Sequence, residues 1–170
     1  SLTLTAANAF TGTTTITTGS LVLQSTYASS AHSIAASAVL ELNVASGTFD
    51  YATTTFSGAG TLRKTGIGTA QWGTTAATFA LASGSLVDIQ GGVLVGGSSA
   101  NEVWTGNLSS LNVAAGAMLR GVEANIRVDV VSGAGAINSG LTGAGYLSFS
   151  FGVNNGNGTF AGTLGDDSAL

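Results

Sequence analysis

Eight acidic residues, four basic residues and one histidine are spread over 170 positions, and cysteine is absent. Few combinations of these have the types needed for catalysis. His32 beside a serine and a carboxylate would suit a hydrolase triad. Its setting, Ser29-Ser30-Ala31-His32-Ser33, is low in complexity and lacks a Gly-x-Ser-x-Gly elbow, so it reads as a solvated surface histidine. Paired carboxylates cleave glycosidic bonds. Glu102 and Glu123 are 21 residues apart, near the length of one coil of a solenoid, with Arg120 and Arg127 close by. Asp166 and Asp167 are adjacent, and in a strand they would point to opposite faces. Arg63-Lys64 lies far from both carboxylate sets. Alternation alone accounts for Glu123, Arg127 and Asp129 as an outward polar face with Glu–Arg pairing, so no catalytic residue is assigned.

Other chemistries fail on residue type. One histidine and no cysteine leave no zinc or iron–sulfur ligand set, and no metal or cofactor is expected. Gly91-Gly92 and Gly96-Gly97 lack the aspartate of calcium-binding nonapeptides. Gly66-Ile67-Gly68 is followed by neither Lys-Thr/Ser nor a helical pattern, so it is no phosphate loop. A net charge of −4 from only four basic residues argues against a nucleic-acid partner. Apolar runs of about four residues fall far short of a membrane-spanning segment, so no membrane insertion is expected. Asn107-Leu108-Ser109 and Asn157-Gly158-Thr159 match the glycosylation sequon only as short words.

Two feature types remain. Thr13-Thr14-Thr15-Ile16-Thr17-Thr18 and Thr53-Thr54-Thr55 carry threonine at alternate positions. Thr13, Thr15, Thr17, Thr53 and Thr55 are therefore candidate contact residues, on a flat face that would order water or ice. The plainer account is β-branched residues stabilising strands. Tyr27, Tyr51, Trp72 and Trp104 would make a sugar platform, but at four in 170 residues they are expected to plug the core.

The elements that must position these residues are short strands. The chain has 26 Gly, 23 Thr and 20 Ser, only 7% charged residues and no proline. Helix surfaces need the charged and long polar residues that are missing, whereas proline-free Thr and Val segments suit extended ladders. Alternation of period two runs through Ala38–Val44, Ser85–Gln90 and Val122–Val130. In the last, Val122, Ala124, Ile126, Val128 and Val130 face one way. A signature of Gly, a small residue and a large apolar one recurs as Gly19-Ser20-Leu21, Gly60-Thr61-Leu62, Gly84-Ser85-Leu86, Gly116-Ala117-Met118 and Gly145-Tyr146-Leu147. The intervals suit a coil of roughly 20–25 residues. Hairpin signals of the Asn-Gly type are confined to Asn155-Gly156 and Asn157-Gly158, which favours a parallel solenoid over a sandwich.

Two segments resemble a known family. Leu2 to Leu23, including Phe10-Thr11-Gly12-Thr13-Thr14-Thr15-Ile16 and Gly19-Ser20-Leu21-Val22-Leu23, is similar to the later part of the autotransporter-associated β-strand repeat, also called the passenger-associated transport repeat. Gly58-Ala59-Gly60-Thr61-Leu62-Arg63-Lys64-Thr65-Gly66-Ile67-Gly68-Thr69-Ala70-Gln71-Trp72 is similar to its earlier part. Phe160-Ala161-Gly162-Thr163-Leu164 resembles the entry into another copy. The resemblance implies a right-handed parallel β-helix in a secreted or surface-displayed bacterial protein, extracellular in location, with a structural role and no catalytic residues.

The expectation is thus an all-β protein: a single-domain, right-handed parallel β-helix of about seven or eight coils spanning residues 1–170, a fragment or repeat unit of a larger chain. It would act as a rigid stalk or spacer, or as an adhesin passenger segment. A phage tail-fibre β-helix, an ice-binding solenoid and a carbohydrate-active β-helix enzyme are the alternatives. The expected partners are adjacent repeats of the same chain or further copies stacked end to end, and beyond them a host surface or carbohydrate.

Overall fold

A computed structural model describes residues 1–72, 77–96, 103–121, 125–138 and 148–165. Glu102, Glu123, Asp166, Asp167, Val122, Ala124 and the Gly145-Tyr146-Leu147 copy of the signature lie outside the described residues. Among the described residues there is no helix, and every strand pairing is parallel. Proline-free, β-branched segments a few residues long can do little else once hairpin turns are missing, because each strand must seek its partner one coil away.

Three sheets wrap the solenoid. The long sheet contains β1 (Leu2–Leu4), β3 (Gly19–Leu23), β5 (Ala38–Asn43), β8 (Thr61–Thr65), β11 (Leu86–Ile89), β13 (Ser110–Val113) and β16 (Val131–Gly133), in that order. A four-stranded sheet runs β2 (Thr13–Ile16), β4 (Ala31–Ile34), β7 (Thr54–Gly58) and β10 (Ala77–Leu81). A six-stranded sheet runs β6 (Thr48–Asp50), β9 (Thr69–Gln71), β12 (Val93–Val95), β14 (Met118–Arg120), β17 (Ala136–Asn138) and β19 (Thr163–Gly165). β15 (Ile126–Arg127) and β18 (Phe149–Ser150) form a separate pair.

Register turns the sequence pattern into a core. Leu2, Leu21, Leu40, Leu62, Val87, Leu111 and Val131 stand in one inward rank, 19 to 25 residues apart. Seven strands in this sheet mark about six turns, against the seven or eight expected. Corners and longer connections take up the difference; the chain from Val131 to Phe160, bridged to Gly133, uses a Gly/Asn-rich loop. A second inward rank holds Leu4, Leu23, Leu42, Lys64, Ile89 and Val113. Each fully buried aliphatic side chain contributes about 1.5–3 kcal/mol. One continuous apolar cluster extends from Ile16 to Ile137.

The Gly-small-apolar signature is not a fixed address. It puts Leu21 and Leu62 inward, but at Gly84-Ser85-Leu86 the buried residue is Ser85, and Leu86 is half-exposed. The Ser85 hydroxyl donates to the Ala82 carbonyl, which lets it be buried, and Val87 and Ile89 take the interior places. At Gly116-Ala117-Met118 the shift is the same, with Ala117 buried and Met118 outward. Gly58 shows why some corners demand glycine. Its φ is 97°, and a Cβ there would lie 2.1 Å from the Ile34 carbonyl oxygen of the coil beneath.

Candidate functional site

The outward face of the four-stranded sheet gathers three of the five predicted threonines. Pairing of β2, β4, β7 and β10 aligns Thr13, Ala31, Thr55 and Thr78 in one rank. A parallel rank holds Thr15, Ser33, Ser57 and Ala80. Successive rungs are ~4.8 Å apart and the two ranks about two residues, ~7 Å, apart along the strands. Hydroxyls and methyls make up this face, with no charged side chain in either rank. Thr17 is exposed just past the end of β2, and Thr53 just before β7, so neither joins the ranks. Ala31, Ser33, Ser57, Thr78 and Ala80 were missed, because nothing short of the register says that single small residues on different coils line up.

The long sheet presents a different outer face. Glu41, Arg63, Asp88, Asn112 and Ser132 occupy one rank on successive coils. Arg63 Nε donates to Asp88 Oδ2 at 2.9 Å. Asp88 Oδ1 also accepts from Gln90 at 2.6 Å and Asn112 at 2.9 Å. Burial alone would raise the Asp88 carboxyl, but hydrogen bonds from Asn112, Gln90 and Arg63, with the guanidinium charge, hold it below the usual carboxylate range. Thr65 donates to Glu41 at 2.6 Å and accepts from Asn43 at 2.9 Å. These groups answer one another along the ladder.

Two polar side chains point inward. His32 is not a surface residue: it is 1% exposed, in β4, on the same face as Ile34. Its ring stacks on Phe56 at 5.5 Å and meets Tyr27 edge-on at 4.6 Å. Its Nδ1 is 3.0 Å from the buried Thr54 hydroxyl. Desolvation pushes its pKa down to about 4, so the ring is neutral at ordinary pH. No carboxylate or nucleophilic serine is hydrogen-bonded to it among the printed partners, and the triad reading has no support. Lys64, 1% exposed, enters the aliphatic rank of the long sheet. Its Nζ donates to the carbonyls of Thr65, Gly66 and Gly91 at 2.7, 2.9 and 3.0 Å. Burial pushes its pKa down to about 8, which still leaves it an ammonium with three donors for three acceptors at neutral pH.

The aromatic residues are interior. Tyr27, Tyr51 and Trp72 form one file, with centroids 4.6 and 5.8 Å apart. His32, Phe56, Phe79 and Trp104 form a second, at 5.5, 5.3 and 4.0 Å. Trp72 Nε1 donates to the Tyr27 hydroxyl at 3.1 Å, and Trp104 Nε1 to the Gly96 carbonyl at 2.7 Å. None of the four sequence-nominated rings is available as a sugar platform.

The remaining nominated groups do not converge. Arg120 is in β14 of the six-stranded sheet and Arg127 in β15 of the separate pair, so the two sit on different sheets. Asp129 accepts from the backbone amides of Asn154 and Gly156, both at 2.9 Å, and thereby holds the Gly/Asn-rich loop. Asn107 is buried, its amide committed to Ser109 and the Arg127 carbonyl, so that sequon is closed to modification in the folded chain. Among the described residues no cluster of three or more His, Asp or Glu has metal-binding proximity. No helix among them is long and apolar enough to cross a membrane. Comparison with protein-family models, with curated proteins and with solved structures gave no match.

Proposed function

We propose that this chain is a non-catalytic structural segment, a right-handed β-solenoid serving as a rigid stalk, spacer or adhesin passenger segment of a secreted or surface-displayed bacterial protein. The observation that carries this reading is where the reactive side chains go. His32, Lys64, Asp88 and Asp129 are each spent on neighbours within the fold. The resemblance of residues 2–23 and 58–72 to the autotransporter-associated repeat supports the secreted setting, as does the lack of cysteine and of surface charge, which a hydroxyl-rich exterior replaces.

A load-bearing segment outside the cell must withstand proteases. All four basic residues, Arg63, Lys64, Arg120 and Arg127, are in strands, so trypsin should leave the native chain intact and digest it only after denaturation. Rapid cleavage of the native chain would argue against a rigid spacer. Release of reducing ends from a panel of neutral and acidic polysaccharides would overturn the non-catalytic reading.

The aligned Thr13–Thr78 and Thr15–Ala80 ranks favour a second reading, a face that orders water into a lattice. Thermal hysteresis of the purified chain, lost in Thr55→Lys at the centre of the face, would support it. Freezing behaviour no different from that of albumin would remove it.

A further inference from the structure

The charged residues are distributed unevenly along the axis. Residues 1–40 and 130–165 contain no Asp, Glu, Lys or Arg. These stretches supply the first and last rungs, while every Lys and Arg falls between positions 63 and 127. Parallel sheets leave an open edge at each end. β1 pairs only with β3 and β2 only with β4; β19 pairs only with β17 and β18 only with β15. Such edges are normally blunted by lysine, proline or an inward charge, and neither end has one.

Both ends also leave interior ranks unfinished. Leu2, 59% exposed, begins the rank that ends at Val131. Leu164, 61% exposed, closes the inward rank Phe49, Ala70, Leu94, Leu119, Ile137 and itself. Over Val131 opens a cleft of about 390 Å³, walled by Phe151, Phe160 and Leu164. Its carboxylate, Asp129, is engaged by the loop amides of Asn154 and Gly156 through Oδ1.

We propose that copies of this chain join head to tail, the first rung of one copy seated on the last rung of the next, with Leu2 entering the cleft over Val131. An edge of three sheets is matched only by another edge with the same three-sided section and strand direction. The opposite end of a second copy supplies both, and the uncharged rungs set up no repulsion. Leu2 of the added copy then takes the place that follows Val131 in the rank. The two surfaces differ, so the contact is heterologous and does not close: it yields fibres of growing length rather than a dimer. The inference rests on the structural reading above and concerns only the ends.

Sedimentation velocity of the purified chain from micromolar to millimolar concentration tests it. Species should grow without a plateau. Leu2→Lys blocks the head and Leu164→Lys the tail, and each variant alone should remain monomeric. Their equimolar mixture should form a discrete heterodimer, because one intact tail meets one intact head. Both sites are exposed, so circular dichroism and urea midpoints should match the wild type. A wild-type chain monomeric at the highest concentration, a dimer that never grows, or a mixture that stays monomeric overturns the proposal. The protease and polysaccharide tests of the structural reading are unaffected by any of these outcomes.

Discussion

The interior behind the long sheet and the interior behind the four-stranded sheet solve the same problem differently. Behind the long sheet, ranks of Leu, Val and Ile run the length of the solenoid and admit one cation, Lys64. Behind the four-stranded sheet, rings replace aliphatic side chains and admit one base, His32. Lys64 is tolerated because it reaches a corner where three carbonyls need donors, so its charge is matched by dipoles. His32 is tolerated because it gives up its charge and keeps one hydroxyl partner. The lesson is that a polar residue inside a solenoid need not mark a site. Backbone corners can satisfy a cation, and an aromatic file can hold an imidazole as a flat, neutral ring.

The sharpest break in this contrast is Trp72→Ala. It opens both aromatic files at their crossing and removes the bond to Tyr27, and it should cost about 3–5 kcal/mol by urea denaturation. An equal loss for Leu40→Ala would mean that the files add nothing beyond ordinary burial.

Acid should separate the two interiors next. The folded value of His32, about 4, lies below the ordinary 6.5. Between those pH values the unfolded chain binds a proton that the folded chain refuses. Stability therefore falls as pH drops from 6.5 to 4, by about 3 kcal/mol in all, and the contribution levels off below that. The difference between wild type and His32→Phe isolates it; identical pH profiles would show that the ring protonates in place.

Lys64→Met keeps the volume of the stem and removes the donors. With three carbonyls left unanswered it should destabilise by about 2 kcal/mol. A stabilised variant would mean that the desolvation cost of the ammonium exceeds what the corner returns.

The smallest expected effect lies outside both interiors. Arg63→Gln should cost under ~1 kcal/mol and less in high salt, because Arg63 is 38% exposed. Asp88 retains Gln90 and Asn112 in that variant, so a larger loss would show that the ladder acts as a unit.

Much of this was legible in the sequence. Period two placed Leu21, Leu40, Leu62 and Val87 inward, and the same parity carries Lys64 inward two residues after Leu62. His32 has the parity of Ile34 as well, but its Ser/Ala surroundings suggested an exterior. Composition around a residue is a poor guide where half of every strand is outward. Register between coils was not legible, since it depends on corner lengths that vary from turn to turn. Hence the ranks of Thr55 with Thr78, and of Arg63 with Asp88, needed the fold. The two Phe-x-Gly-Thr words make the point locally. Phe10 lies over Gly12 and Phe160 over Gly162, where an added Cβ would be 2.7 and 2.5 Å from the ring. The turn is the same, yet one opens the four-stranded sheet and the other the six-stranded one. A motif of this kind encodes a corner and not a side.

The aromatic files also set how the molecule comes apart. In a linear array of rungs, stability passes only between nearest neighbours, so a weak junction lets the array melt in pieces. The files bind the rungs of residues 27–34, 51–58, 72–81 and 104 through successive ring contacts. They do not reach the rungs of Leu2–Leu4 or Ala136–Asn138. The chain therefore carries a cooperative middle between two ends that fray first, and amide exchange should be slowest in β5, β8 and β11 and fastest in β1 and β19. Both tryptophans belong to that middle, so intrinsic fluorescence would follow its melting and stay blind to the loosening of the ends.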